Sequence, residues 1–166
     1  VYSGLDADTI QDDKFEYLQK TLRIISGYYG ILRPFDKILP YRLEMGTRLE
    51  NENGNNLYKF WGDKITDILN DDIEDDDIVV NLASDEYFKS INKEKLNAEI
   101  ITPVFKEFKN DSYKVIAIYA KKARGLMSRF LIERKSKNVD DIKLFNTDGY
   151  TFDGNLSTEN ELVFTR

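Results

Sequence analysis

The chain has 166 residues, 41% hydrophobic and 33% charged, which suits one domain able to bury a core without cross-links. It contains neither Cys nor His, and this excludes disulfides, thiolate zinc sites, Fe–S clusters, cysteine nucleophiles and imidazole bases. The formal charge of −6 gives no global attraction to nucleic acid or anionic lipid, so binding of either must rest on a local patch.

No apolar run has the length of a membrane span, and the first residues lack the basic start and apolar stretch of a signal peptide, so a soluble, cytoplasmic protein with no membrane partner is expected. The chain opens on Val1, in an extended-looking Val1-Tyr2-Ser3-Gly4-Leu5, which reads as the start of a fragment. Asp13-Lys14-Phe15-Glu16 has the form of a capping box, and Phe15, Leu18 and Leu22 follow at helical spacing. Residues 22–26 then read as the passage from helix to a short strand, which Gly27-Tyr28-Tyr29-Gly30 turns. From Ile31 to Leu49, Pro34 and Pro40 argue for an ordered irregular segment.

Asn55 or Asn56 can cap a single helix in which Leu57, Phe60, Trp61, Ile65, Ile68 and Leu69 form one apolar stripe. Asp71 to Asp77 places six acids in seven residues, and the negative end of a helix dipole would repel them, so this segment reads as a solvated loop. Ile78 to Ala83 reads as a buried strand, and Ser84 as the cap of a helix over residues 85–91. Residues 99–108 and 113–120 read as two strands of a hairpin, with Pro103 marking an edge or a bulge. A basic amphipathic helix follows from about Lys121 to Lys135, slightly weakened by Gly125. A short helix near residues 139–145 and two strands, 150–152 and 162–164, complete the chain. The predicted fold is mixed α/β: a single domain, residues 1–166, with a mixed sheet that includes an antiparallel hairpin and helices packed on it.

Three constellations carry chemistry. Between Lys121 and Lys137 there are seven basic residues against one acid, Glu133, a local balance of +6. Lys121, Lys122, Arg124 and Arg129 lie away from the apolar face, where they could neutralise phosphates; a solvated helix face is the plainer reading. Arg33 and Arg42, set among Pro34, Pro40 and Glu44, could clamp a phosphate or carboxylate, or simply pair with acids. Asn81, Ser84, Asp85 and Glu86 lie at a strand end and helix start, where open α/β sheets bind ligands; a helix cap serves equally well. There is no GxGxxG or Walker loop, no complete EF-hand loop, and Ser90-Ile91-Asn92-Lys93 matches SxxK by spacing alone.

The stretches Ser26-Gly27-Tyr28-Tyr29-Gly30-Ile31-Leu32-Arg33-Pro34, Pro40-Tyr41-Arg42-Leu43-Glu44-Met45-Gly46 and Asn81-Leu82-Ala83-Ser84-Asp85-Glu86-Tyr87-Phe88 closely resemble the peroxide-stress protein YaaA family. Residues 119–130 and the ending Glu161-Leu162-Val163-Phe164 are similar to it as well. The resemblance implies a cytoplasmic bacterial protein that protects against hydrogen peroxide by limiting free iron and that binds DNA through a positive cleft. It also implies that the family's N-terminal region is absent from this chain, and it transfers no catalytic residue. The leading expectation is therefore a non-enzymatic, weak and salt-dependent binder of double-stranded DNA, without a cofactor or bound metal. An enzyme acting on a phosphorylated or nucleotide-like anionic ligand, with Arg42, Glu44, Asp85, Lys122 and Arg124 in one polar cleft, is the competing expectation. A carboxylate iron or Mg²⁺ binder is a third.

Overall fold

Strand β4 (Glu99–Lys109) runs through the larger sheet, with Ile101 and Phe105 buried on one face. In the computed structural model, which describes residues 1–166, β4 pairs in parallel with β3 (Ile78–Val80) on one side and β7 (Glu161–Thr165) on the other. The antiparallel β6 (Thr151–Phe152) extends the sheet beyond β7, and β5 (Ser112–Lys114) folds back on the end of β4 as a hairpin. The fold is mixed α/β, as expected. Pro103 sits centrally in β4, yet its missing N–H costs nothing. Ile101 accepts from the Asn81 N–H on the β3 side and Thr102 donates to Asn160 on the β7 side, so Pro103 faces the β3 side again, where that strand has ended.

Helix α6 (Ala117–Arg134) covers this sheet, with Ala123 and Met127 packed into a core of Ile101, Phe105, Phe145, Tyr150 and Phe164. Phe105, Phe145, Tyr150 and Phe164 meet mostly edge to face, with centroids 5.3 to 6.4 Å apart. Residues 117–120, expected to continue a strand, are the first turn of α6, and β5 stops at Lys114. Lys135 lies beyond the helix as its left-handed cap. Val1 to Leu5 is not extended: Tyr2–Leu5 forms α1, which crosses α6 at Gly4 and Gly125. The short α7 (Val139–Lys143) is capped by Asn138, whose side chain accepts from the Asp141 N–H. Together, residues Val1–Tyr17, Ile78–Leu82 and Glu99–Arg166 make one compact unit.

Leu18–Asp77 and Ala83–Ala98 make a second. Helix α2 (Phe15–Thr21), most of which belongs here, leads into the hairpin of β1 (Ile24–Ser26) and β2 (Gly30–Leu32). Residues 33–50 are irregular, as the prolines predict. The single helix expected after Asn56 is two, α3 (Leu57–Trp61) and α4 (Lys64–Asp72), because Gly62 adopts φ 52° and ψ −124° between them. The stripe is correspondingly interrupted: Leu57 and Ile65 are buried, whereas Ile68 is exposed. Asp71 and Asp72, read as loop, close the last turn of α4, and two arginines held on Asp72 offset the unfavourable dipole there. The helix after Ser84 is shorter than expected, α5 (Asp85–Phe88), and Ser84 caps it without a side-chain hydrogen bond.

Candidate functional site

In the first unit, β7 pairs with β4 as far as Lys106 and the Phe108 N–H still donates to the Arg166 carbonyl at 2.9 Å, so only the end of the β4–β5 hairpin, Lys109 to Ser112, projects past the sheet. Phe108 and Tyr113 pair across the hairpin with centroids 5.2 Å apart, both exposed. Lys109 and Lys114 lie on the opposite face of the pleat, the α6 side, and the chain passes through exposed Val115 directly into α6. The opening turns of α6 present Ile118, Tyr119, Lys121 and Lys122 to solvent. Lys109 and Lys114 thus share the α6 side of the hairpin with the exposed start of the helix, while the Phe108 and Tyr113 rings lie on the other face.

Behind it lies an ionic network. The Arg166 guanidinium donates from Nε to Glu107 at 2.8 Å and from one terminal nitrogen to the carboxylate and the carbonyl of Asp148, both at 2.8 Å. It also stacks over Tyr150, 4.5 Å from the ring centroid, and lies 5.2 Å from that of Tyr119. Tyr150 donates its hydroxyl to Glu107, and burial together with that carboxylate pushes its pKa well up. Asp148, at a left-handed φ of 59°, also accepts from Lys122 at 3.3 Å. Burial pushes the Asp148 carboxyl up, but the hydrogen bonds from Lys122 and Arg166 outweigh it and hold the group below its ordinary value.

The other basic candidates of this unit sit differently. Lys121 is exposed on the α6 surface, and Arg124, half-buried, directs Nε to its own helix at Ala120 O, 3.4 Å away. Arg129 turns from solvent: it donates to the carbonyls of Leu5, Asp6 and Thr9 and to the Thr9 hydroxyl at 2.7 to 3.3 Å, and pairs with Glu133 at 2.7 Å. Asn81 ends the β3 segment with its N–H on Ile101.

In the second unit, the first two motif stretches come together with the part of the third from Ala83 onward. Buried Ser26, at the end of β1, accepts from the N–H groups of Tyr28 and Tyr29 and shares a 2.5 Å hydrogen bond with the Tyr41 hydroxyl. The rings of Tyr28, Tyr29 and Tyr41 form a triangle with centroids 4.9 to 5.5 Å apart, too tight to admit a guest between them. Gly27 abuts the Leu43 backbone, where a Cβ would stand 2.4 Å from its carbonyl oxygen, and Trp61 Nε1 donates to the Gly27 carbonyl at 3.0 Å. From α5, Glu86 accepts the Gly46 N–H at 2.8 Å. Burial, with the charges of Glu86 and Glu44 and the Tyr41 hydroxyl nearby, raises the pKa of Tyr87. Glu44 and Glu86 therefore share this corner with Ser84 and Asp85 at the start of α5; Arg42 and Asp85 are exposed there. Arg33 is elsewhere, on Asp72 at 2.7 Å, which also holds Arg23 at 2.9 Å. Arg124, Lys122 and Asn81 belong to the first unit.

Sequence reasoning missed Lys109, Lys114 and Tyr119 as surface partners of the basic helix, and Phe108 and Tyr113 as an exposed pair on the other face of the hairpin. The signal was present, aromatic residues interleaved with lysines from Lys106 to Lys122, but a continuous second strand obscured it. No three carboxylates lie close enough to hold a metal ion, and no helix is long and apolar enough to cross a membrane. A family model described as peroxide stress protein YaaA matches residues 1–156 of the chain.

Proposed function

From the premise that the chain belongs to the peroxide stress protein YaaA family, and so to the peroxide stress response, we propose that it acts there by binding double-stranded DNA. In this reading it lessens oxidative damage to DNA and helps limit free iron in the cytoplasm. The observation that carries the DNA reading is the exposed surface on the α6 side of the hairpin, with Lys109 and Lys114, and on the start of the helix, with Lys121, Lys122 and Tyr119. A two-stranded ribbon and a helix are the two elements that fit the major groove of a duplex, and lysines beside them meet phosphates. No set of Asn, Gln or Arg side chains is arranged there to read base edges, so binding is sequence-tolerant and electrostatic, with Kd on the order of 10⁻⁴ to 10⁻⁶ M at physiological salt.

Fluorescence anisotropy with a labelled duplex over a range of salt tests this. Replacing Lys114, Lys121 and Lys122 by Ala lowers affinity and makes the log–log salt slope shallower by about 0.9 for each phosphate that is no longer neutralised. An unchanged slope removes this surface from the interface. A second reading, an anionic ligand in the second unit, rests on exposed Arg42, which makes no ion pair, beside the Ser26, Tyr41 and Tyr87 cluster. Titration with inorganic phosphate and a nucleoside monophosphate, with Arg42→Ala as control, tests that reading.

A further inference from the structure

We propose that the first unit holds a separate binding site for a small organic amine with an apolar body, in a cavity at the starting ends of the parallel strands β4 and β7. The cavity has a volume of about 570 Å³ and opens between α7 and the segment that links β6 to β7. Ile101, Leu162 and the Phe152 ring form its apolar floor. Exposed Glu99 and Glu159, together with Lys143, supply the charged part of its lining.

The charges decide what it takes. Lys143 is already answered by Asp140, 2.9 Å away, whereas Glu99 and Glu159 make no ion pair. The uncompensated charge facing the cavity is therefore negative, and an anion is disfavoured. A metal ion lacks ligands there, because two carboxylates over a hydrocarbon floor leave most of a coordination shell empty. An ammonium group meeting the carboxylates while a ring or branched chain covers Phe152 and Leu162 satisfies both parts of the lining.

The cavity is also preformed. The Ser157 hydroxyl donates to the Asp153 carbonyl at 2.6 Å and accepts the Val163 N–H at 2.8 Å. Thr158 donates its N–H to Glu161 O at 2.9 Å, and Asn160 accepts from Thr102 of β4 at 2.8 Å. The wall is thus pinned to the sheet on both sides, and a ligand need not order it on arrival.

Isothermal calorimetry of the whole chain with 2-phenylethylamine, against 3-phenylpropionate and 2-phenylethanol, tests the proposal. The amine binds saturably, with Kd on the order of 1 mM for so small a molecule, and the acid and the alcohol bind at least about tenfold more weakly. The double variant Glu99→Gln, Glu159→Gln weakens the amine about tenfold or more. Gly154→Phe abolishes binding by placing a ring in the lining; a Cβ at Gly154 meets only Phe152, at an ordinary 3.6 Å, so the backbone there accepts a side chain. An unfolding midpoint near that of the parent chain shows that each variant folds. Equal binding of the acid, indifference to Gly154→Phe, or no saturable heat below about 10 mM amine overturns the proposal.

Discussion

Gly4 and Gly125 meet where α1 crosses α6: a Cβ on Gly4 would stand 3.2 Å from the Gly125 carbonyl carbon and 2.4 Å from the Lys122 carbonyl oxygen. From the other side, a Cβ on Gly125 would come within 1.9 Å of the Val1 carbonyl oxygen. Backbone meets backbone here, so no side chain can swing aside. Gly125→Ala gains about 1 kcal/mol of intrinsic helix propensity, but overpacking of this kind costs about 1–3 kcal/mol. Net destabilisation is expected, read as a lower midpoint in denaturant at unchanged m-value; a rise in the midpoint would mean that α1 detaches freely.

Arg129 secures the same N-terminal segment from the other end. Its fork engages the carbonyls of Leu5, Asp6 and Thr9, the first two at the C-terminus of α1. Arg129→Lys fails to restore that geometry, because an ammonium cannot span several acceptors in one plane, and both it and Arg129→Ala cost about 1.5–3 kcal/mol. Amide exchange should accelerate between Leu5 and Ile10 in both variants. Duplex affinity should change less than in Lys121→Ala, which separates a structural arginine from a surface lysine.

That contrast marks what the sequence makes legible. Lys121 and Arg129 read alike on a helical wheel, and only the placement of α1 draws Arg129 inward. The elements themselves are largely visible: Asn56 does cap a helix, a short helix does begin at Val139, and two short strands do close the chain. Gly62 is harder, since a glycine within an apolar stripe looks tolerable until its positive φ divides the helix. The run from Tyr113 to Ala120 is β-branched and aromatic enough to suggest a strand, yet packing of Ala120 and Ala123 against the sheet claims its second half for α6. In the candidate site, Glu44 and Glu86 come from separate motifs and do share one corner. Ser26 and Tyr41 hold that corner together, but their roles do not show in the motifs, because a hydroxyl pair 15 residues apart leaves no periodic trace.

Asp72 predicts a pH response in the second unit. Burial raises its pKa, but hydrogen bonds and charge from Arg23, with Arg33 beside it, hold the carboxyl below its ordinary value. A carboxylate depressed in the folded state contributes stability that is fully present above its unfolded pKa and is lost as pH falls through the folded one. The denaturation midpoint should therefore fall on acidification between about pH 5 and pH 2. Asp72→Asn should lower stability at neutral pH and flatten that acid limb; a parallel displacement of the whole curve would show that the pairing has no part in it.

Asp148 bears directly on the DNA surface, since it draws Lys122 to itself and shares its carboxylate with Arg166. Asp148→Asn keeps a residue type that tolerates the left-handed backbone at φ 59° while removing the negative charge. The Lys122 ammonium is then freed toward solvent, next to Lys121, and one charge repelling phosphate is gone. Duplex affinity should rise by a few-fold at low salt, and the salt slope should steepen by about 0.9, the equivalent of one further phosphate neutralised. Stability should fall at the same time, because Arg166 loses a charged acceptor worth about 1.5–3 kcal/mol, so measurements belong well below the unfolding temperature. In a Lys122→Ala background the gain in affinity should disappear. If Asp148→Asn still strengthens binding there, the effect is one of net charge alone and Lys122 is not the group that Asp148 restrains.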